Sequence, residues 1–340
     1  MTNSNDASVA HYLHNSIGNL FLKSNRIARL STHEAKFKRR GFEASDPERQ
    51  ALLETIGVTF IEGYNEALST SQIESILNFE RLIDRNHRGF YLEGAAMGCA
   101  VADGLPWSKL TGFEHRLSTL LKATSDRQPY LTVVGAGWAM ARISWRRSAI
   151  LAAIDHFIAS LAFDGWGFHD IYFQPSRLKQ NAGRAVRSLG GALAARSWDQ
   201  GAGRALWFTS GGNVQRACDE IYSQGFERQA DLFAGLGLAM TYACGATVDE
   251  LQSLRSLSGA HAKDVAQGSA FALEAHECAA TTSAEARNAC RILTGKEPEE
   301  AIRIVKLARP SRCAGEVLSL AEGQEEYEKW RSEVRANFVL

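Results

Sequence analysis

The sequence predicts an all-α protein built of tandem helical hairpins, about seven of them, arranged as an α/α solenoid or toroid. Three observations predict it. Apolar residues recur at helical spacing, as at Val214, Ala217, Cys218, Ile221 and Tyr222. Strand-like alternation is nearly absent, with "YLTVV", Tyr130 to Val134, as its best instance. Apolar, glycine-bearing segments lie between the amphipathic stretches. One glycine from each (Gly63, Gly94, Gly135, Gly167, Gly203, Gly235, Gly268) gives spacings of 31, 41, 32, 36, 32 and 33 residues. A period in the thirties is the length of one helix-turn-helix unit.

Taken in order, residues 1–45 lack the pattern and read as an N-terminal arm, leaving 46–340 as a single repeat domain. Outer, amphipathic helices are expected around Ile73, Ile76 and Leu77, around Leu117, Leu120 and Leu121, along Ile150 to Leu161, and at Val214 to Tyr222. Inner, buried helices are expected at "FIEGYNEAL", "FYLEGAAMGCAVA", "VVGAGWAMARI", "DGWGFHDIYF", "DQGAGRALWF", "LFAGLGLAMTYA" and "VAQGSAFALEA". A segment apolar all round belongs inside, and its glycines let neighbouring backbones approach. Each glycine lowers helix propensity by about 1 kcal/mol, so close packing must offset it. An internal duplication is suggested over about 50–160 and 195–300, because Gly94 and Gly235 sit in similar strings 141 residues apart. The closing "GQEEYEKWRSEVRANFVL" reads as a charged helix lying on the surface.

Composition narrows the function classes. The 340 residues carry 38 basic and 38 acidic side chains, so bulk charge recruits neither nucleic acid nor a membrane surface. No run approaches the ~18 apolar residues of a membrane span, and the N-terminus lacks a secretory pattern, which makes the cytoplasm the default. The six cysteines are scattered without a C-x-x-C pair and read as reduced thiols. "VVGAGWAM" tempts a dinucleotide reading, but Met140 stands where that fingerprint needs Gly or Ala, and Asp155 falls within an amphipathic stretch. No phosphate loop, nucleophile elbow, H-E-x-x-H or DDxxD string occurs. His11 and His14 are spaced like a weak metal pair in the arm, and neither a metal nor a cofactor is predicted.

What remains is a set of polar residues inside the inner segments. Asp164, Asp199, Glu93 and His169 are the candidate catalytic groups. Trp166, Phe168, Tyr172, Trp198, Trp207, Arg142, Arg204, Gln200 and Asp231 are the candidate binding groups. One reading makes the charged members inter-helix salt links, since a buried charge must be paired. The other makes them converge on a cavity, where a carboxylate among apolar groups has a raised pKa and works as acid or base. Asp164 and Asp199 precede similar glycine-aromatic strings and are expected at equivalent places in neighbouring repeats. Arg142 and Arg204 are each expected to pair with a carboxylate.

"RGFYLEGAAMG", "GAGWAMAR", "DGWGFHDIYF", "DQGAGRALWF" and "DLFAGLGLA", with a closing "YEKWR", resemble the UnbL-type enediyne-biosynthesis proteins, a bacterial family carried as a domain of unknown function. The similarity runs from about Arg88 to Arg331. It implies a role in making a polyene-derived natural product beside an iterative polyketide synthase, whose components are the implied partners. Glu93, Arg142, Asp164, His169, Asp199, Gln200, Arg204 and Asp231 match its motif residues. Ile171 departs from it, standing where a small residue is expected. The function expected is that of an enzyme acting on a long apolar polyene or isoprenoid-like chain, by acid–base-assisted cyclisation or isomerisation in an aromatic-lined cavity. The alternative is a non-catalytic binding or scaffold protein of the polyketide machinery. An enclosed aromatic pocket with inward carboxylates separates the first from the open, polar groove of the second.

Overall fold

The computed structural model describes residues 28–339 except 45, 107, 109–114 and 313–315; His11 and His14 therefore lie outside the described residues. Among the described residues the regular structure is all helical and no strand occurs. The helices are α1 (Phe37–Arg40), α2 (Pro47–Ser69), α3 (Ile73–Glu80), α4 (Arg88–Gly104), α5 (Arg116–Thr124), α6 (Pro129–Arg142), α7 (Arg147–Ala152) and α8 (Ser160–Phe173). They continue with α9 (Arg184–Thr209), α10 (Val214–Tyr222), α11 (Phe226–Tyr242), α12 (Val248–Leu257), α13 (Ala262–Cys278), α14 (Ala284–Thr294), α15 (Pro298–Ala308) and α16 (Leu320–Ala336).

The apolar segments are α2, α4, α6, α8, α9, α11 and α13, and the most extensive helix–helix packing among the described residues is between successive members of that row. Glycine makes this row possible. At Gly135 a methyl group would overlap the carbonyl oxygen of Glu93 on α4, and at Gly137 that of Ala162 on α8. Two residues apart on a helix means about 200° of rotation, so the glycines of a G-x-G face opposite neighbours. Gly165 and Gly167, Gly201 and Gly203, and Gly235 and Gly237 repeat the arrangement, the first glycine meeting the preceding helix and the second the following one. The glycines that gave the sequence period mix these two roles: Gly167 and Gly203 face forward, whereas Gly94, Gly135 and Gly235 face back. Gly94 meets Phe60 and Gly98 meets Tyr64, so α2 and α4 advance in the same direction.

Three expectations are corrected, and one helix is bent at a point the sequence reading did not address. Tyr130 to Val134 are helical, within α6, because burial between α4 and α8 overrides the β preference of valine and threonine. The stretch Ile150 to Leu161 is broken after α7, where the Asp155 side chain accepts from Phe157 N and caps a short 3-10 turn. The helix α9 bends at Gly191, whose φ of 65° no ordinary side chain adopts readily. The C-terminal helix is more than a surface element: Tyr327, Trp330, Arg331 and Val334 are buried, and Arg331 reaches Asp231 on α11 at 2.8 Å.

Residues far apart along the row are in contact. Arg49, at the start of α2, donates to Gly212 O at 2.8 Å, Gly245 O at 2.9 Å and both carboxylate oxygens of Glu250 at 2.7 Å. The Phe90 and Tyr242 rings, on α4 and α11, lie edge to face at 5.2 Å. Residues 28–44 pack back on α2, with Leu30 held by Asn65, and Lys36 and Phe37 N held by Glu54.

Candidate functional site

The glycine register fixes which side chains face inward. In x-G-x-G-x, the two outer positions are four residues apart, share one face and lie at right angles to both glycine contacts. Those positions are Glu93 and Met97 on α4, Val134 and Trp138 on α6, Asp164 and Phe168 on α8, and Gln200 and Arg204 on α9. Alanine replaces the second glycine on α4. All eight line two cavities inside the row. The middle position points the other way, and there Trp166 lies under the Arg147 guanidinium, 4.1 Å from its ring centroid.

The first cavity, with roughly 740 Å³ of atom-free space including open solvent at its mouth, is narrow and overwhelmingly apolar. Phe60, Phe90, Trp138, Phe168, Tyr172 and Phe208 are its aromatic walls, with Leu30, Glu34 and Ala35 of the N-terminal segment along one side. Trp138 is its hub, with ring centroids 4.4 Å from Phe60 and 5.1 Å from Phe168. The second cavity, roughly 560 Å³ on the same measure, is lined by Tyr130, Leu161, Phe271 and the C-terminal helix's Tyr327 and Trp330, with Asp164 and Gln200 as polar members. Arg204, Leu238 and Tyr242 belong to both walls and form a waist between them.

A buried ionic cluster sits at this waist. Glu93, Asp164 and Arg204 are 3%, 1% and 5% exposed. Arg204 donates to Asp164 Oδ1, and its Nη2 stands 4.0 Å from Glu93 Oε1. Gln200 Nε2 donates to the other oxygen of Asp164 at 2.8 Å. Trp138 Nε1 donates to Glu93 Oε1 at 3.0 Å. Burial pushes the Glu93 carboxyl up to about 7; Arg204 and the Trp138 hydrogen bond oppose that shift, and nearby Asp164 adds to it. The guanidinium hydrogen-bonds Asp164 and only approaches Glu93, so burial dominates at Glu93, which is about half protonated near neutrality. Burial pushes the Tyr242 hydroxyl above its ordinary value as well. The cluster thus places a carboxyl that is partly protonated near neutrality against aromatic faces.

The remaining sequence candidates fall elsewhere. Asp199 is not equivalent to Asp164, because the glycine contacts align Asp164 with Gln200. Asp199 instead accepts from Arg228 at 2.7 and 3.0 Å, and burial raises its carboxyl to about 6 against that partner. For Asp231, burial would raise the carboxyl, but Arg331 and Arg196 outweigh it and hold it below the ordinary value. It ties α16 to α11. Arg142 is exposed at the end of α6, 5.8 Å from the Phe173 ring centroid, with no carboxylate partner among the described residues. His169 is largely buried beside Trp138 and Phe173, and burial lowers its pKa. Trp198 donates to Asp170, Trp207 is buried beside Arg49, and Ile171 is buried, and none of the three lines a cavity. Sequence reasoning missed Trp138, Tyr242, Tyr327 and Trp330 as lining residues; for Trp138 the signal was its place directly after a G-x-G.

A family model, "Protein of unknown function (DUF1702)", matches residues 21–338. The chain belongs to the DUF1702 family. No curated protein and no solved structure matched it significantly. No helix among the described residues of this DUF1702 protein is long and apolar enough to cross a membrane. Nor do they contain a group of three or more His, Cys, Asp or Glu suited to a metal ion. Cys99, Cys218, Cys244, Cys278 and Cys290 are free thiols.

Proposed function

We propose that this protein is an enzyme of natural-product biosynthesis that binds a long, apolar, unsaturated chain and rearranges it by acid–base chemistry. In this reading the row of inner helices is an α/α repeat array curled round a central channel, and the channel holds the chain. The observation that carries it is Glu93: a carboxyl with a pKa near 7, lining a cavity whose walls are almost wholly aromatic and aliphatic. Glu93 gives its proton to one carbon of a double bond. The neighbouring carbon becomes cationic and is faced by the Trp138 and Phe168 rings, whose π-faces favour positive charge. Attack by a second double bond followed by proton loss gives a cyclised product, and proton loss alone gives an isomer. The released proton returns to the Glu93 carboxylate, so the step needs no oxidant or reductant. The resemblance to UnbL-type proteins would place the chemistry beside a polyketide synthase in the cytoplasm. A scaffold role calls for an open polar groove, and the aromatic lining favours the enzyme.

Mass spectrometry of organic extracts of the protein purified from its natural host tests this. The native protein is expected to carry an apolar unsaturated molecule, and Glu93→Gln an unconverted precursor with the same composition and a different ring or double-bond pattern. An identical molecule on both proteins would remove Glu93 from the chemistry, and none on either would remove the apolar chain.

A further inference from the structure

We propose that the second cavity is the distal half of one continuous binding channel, and that the channel takes an uncharged elongated alcohol whose tail lies in the first cavity and whose hydroxyl end, when the chain is long enough, passes the waist to reach Gln200. The proposal rests on the reading of the first cavity as a site for an apolar chain. Three observations support it. The two cavities share Arg204, Leu238 and Tyr242, so they lie on opposite sides of the same three side chains. The second cavity continues the apolar character of the first, through Leu131, Leu161, Phe271, Ala272 and Trp330. Gln200, 2% exposed and lining it, has a buried Oε1 with no hydrogen-bond partner, although its Nε2 is engaged by Asp164. A buried acceptor left unmade costs about 1–3 kcal/mol, so a ligand hydroxyl that donates to it is favoured.

Charge sets the ligand class. The one guanidinium on the shared wall is matched by Asp164, with Glu93 close by. A carboxylate or diphosphate on the ligand would meet Asp164 with no unmatched cation on the lining of the second cavity. A neutral alcohol avoids that penalty and satisfies Gln200.

Prenyl alcohols of increasing length (geraniol, farnesol, geranylgeraniol) are suitable probes, with geranylgeranyl diphosphate as the charged comparison and isothermal titration calorimetry as the readout. The native protein is expected to bind more tightly along the series and to bind the diphosphate at least tenfold more weakly than its alcohol. Ala272→Phe fills the second cavity; it is expected to weaken geranylgeraniol at least tenfold while leaving geraniol unchanged. Leu161→Ala enlarges the same cavity and is expected to shift the preference toward the longest alcohol, so the test stands if Ala272→Phe fails to fold. A length series unaltered in a folded Ala272→Phe or in Leu161→Ala would overturn the continuous channel and leave the first cavity as a site of its own. Diphosphate binding as tight as the alcohol would overturn the neutral ligand. Absence of binding by every alcohol to the native protein would overturn both this proposal and the function on which it rests.

Discussion

Glu93 and Asp199 show how one chemical group acquires two fates. Both are buried carboxylates with raised pKa, to about 7 and about 6, and burial is the main cause in each. Asp199 is held by Arg228 in direct hydrogen bonds, whereas Glu93 has an indole N–H and a guanidinium nitrogen 4.0 Å away. Asp199→Asn is therefore expected to strand the buried Arg228, lowering stability by about 3 kcal/mol in chemical denaturation while leaving prenyl alcohol binding unchanged. Weakened binding at native stability would return Asp199 to the site. For Glu93 the folded state holds its proton to higher pH than the unfolded chain, whose glutamate titrates near 4.5. Stability is thus fullest below about 4.5 and falls as pH rises to about 7, by on the order of 3 kcal/mol in all. Glu93→Gln should flatten that part of the thermal-midpoint profile, because glutamine does not ionise. A profile with the same slope in both proteins would show that Glu93 is charged throughout.

At the scale of the helix, the G-x-G pair decides both packing and site. Gly135→Ala should push α6 away from the Glu93 carbonyl and cost about 3 kcal/mol or more, since the overlap is with backbone and cannot be relieved by a rotamer. Gly183→Ala is the control: its φ is −62° and a methyl group there meets nothing within 4 Å, so its midpoint should stay or rise slightly. Equal effects in the two variants would remove the close approach as the reason for the glycines. The helical class and the inner segments were legible because periodicity and glycine content are local properties. The register was not. Counting one glycine per segment hides that the pair faces two ways, which set Asp164 beside Asp199 rather than Gln200. The burial of α16 was hidden as well, because Arg331 and Arg335 read as solvated charges until Asp231 and Asp264 are seen opposite them.

At the scale of the molecule, the row brings together residues far apart in sequence. Glu93 and Arg204 come from helices separated by two others in the row, and Arg49 on α2 reaches Glu250 on α12. No single segment encodes the waist at Arg204, Leu238 and Tyr242, so no string in the sequence announced it. It exists because equivalent inward positions on successive helices converge, and one of those positions is arginine while the others are Met97, Trp138, Phe168, Leu238 and Phe271. The central claim is that this convergence keeps the Glu93 carboxyl partly protonated up to about pH 7, against an aromatic wall. Difference infrared spectroscopy across a pH titration tests it most directly. The native protein should show a protonated carboxyl C=O band that disappears with a midpoint near 7 and is missing in Glu93→Gln. A native spectrum without that band at pH 6, or with the same band in Glu93→Gln, would contradict it.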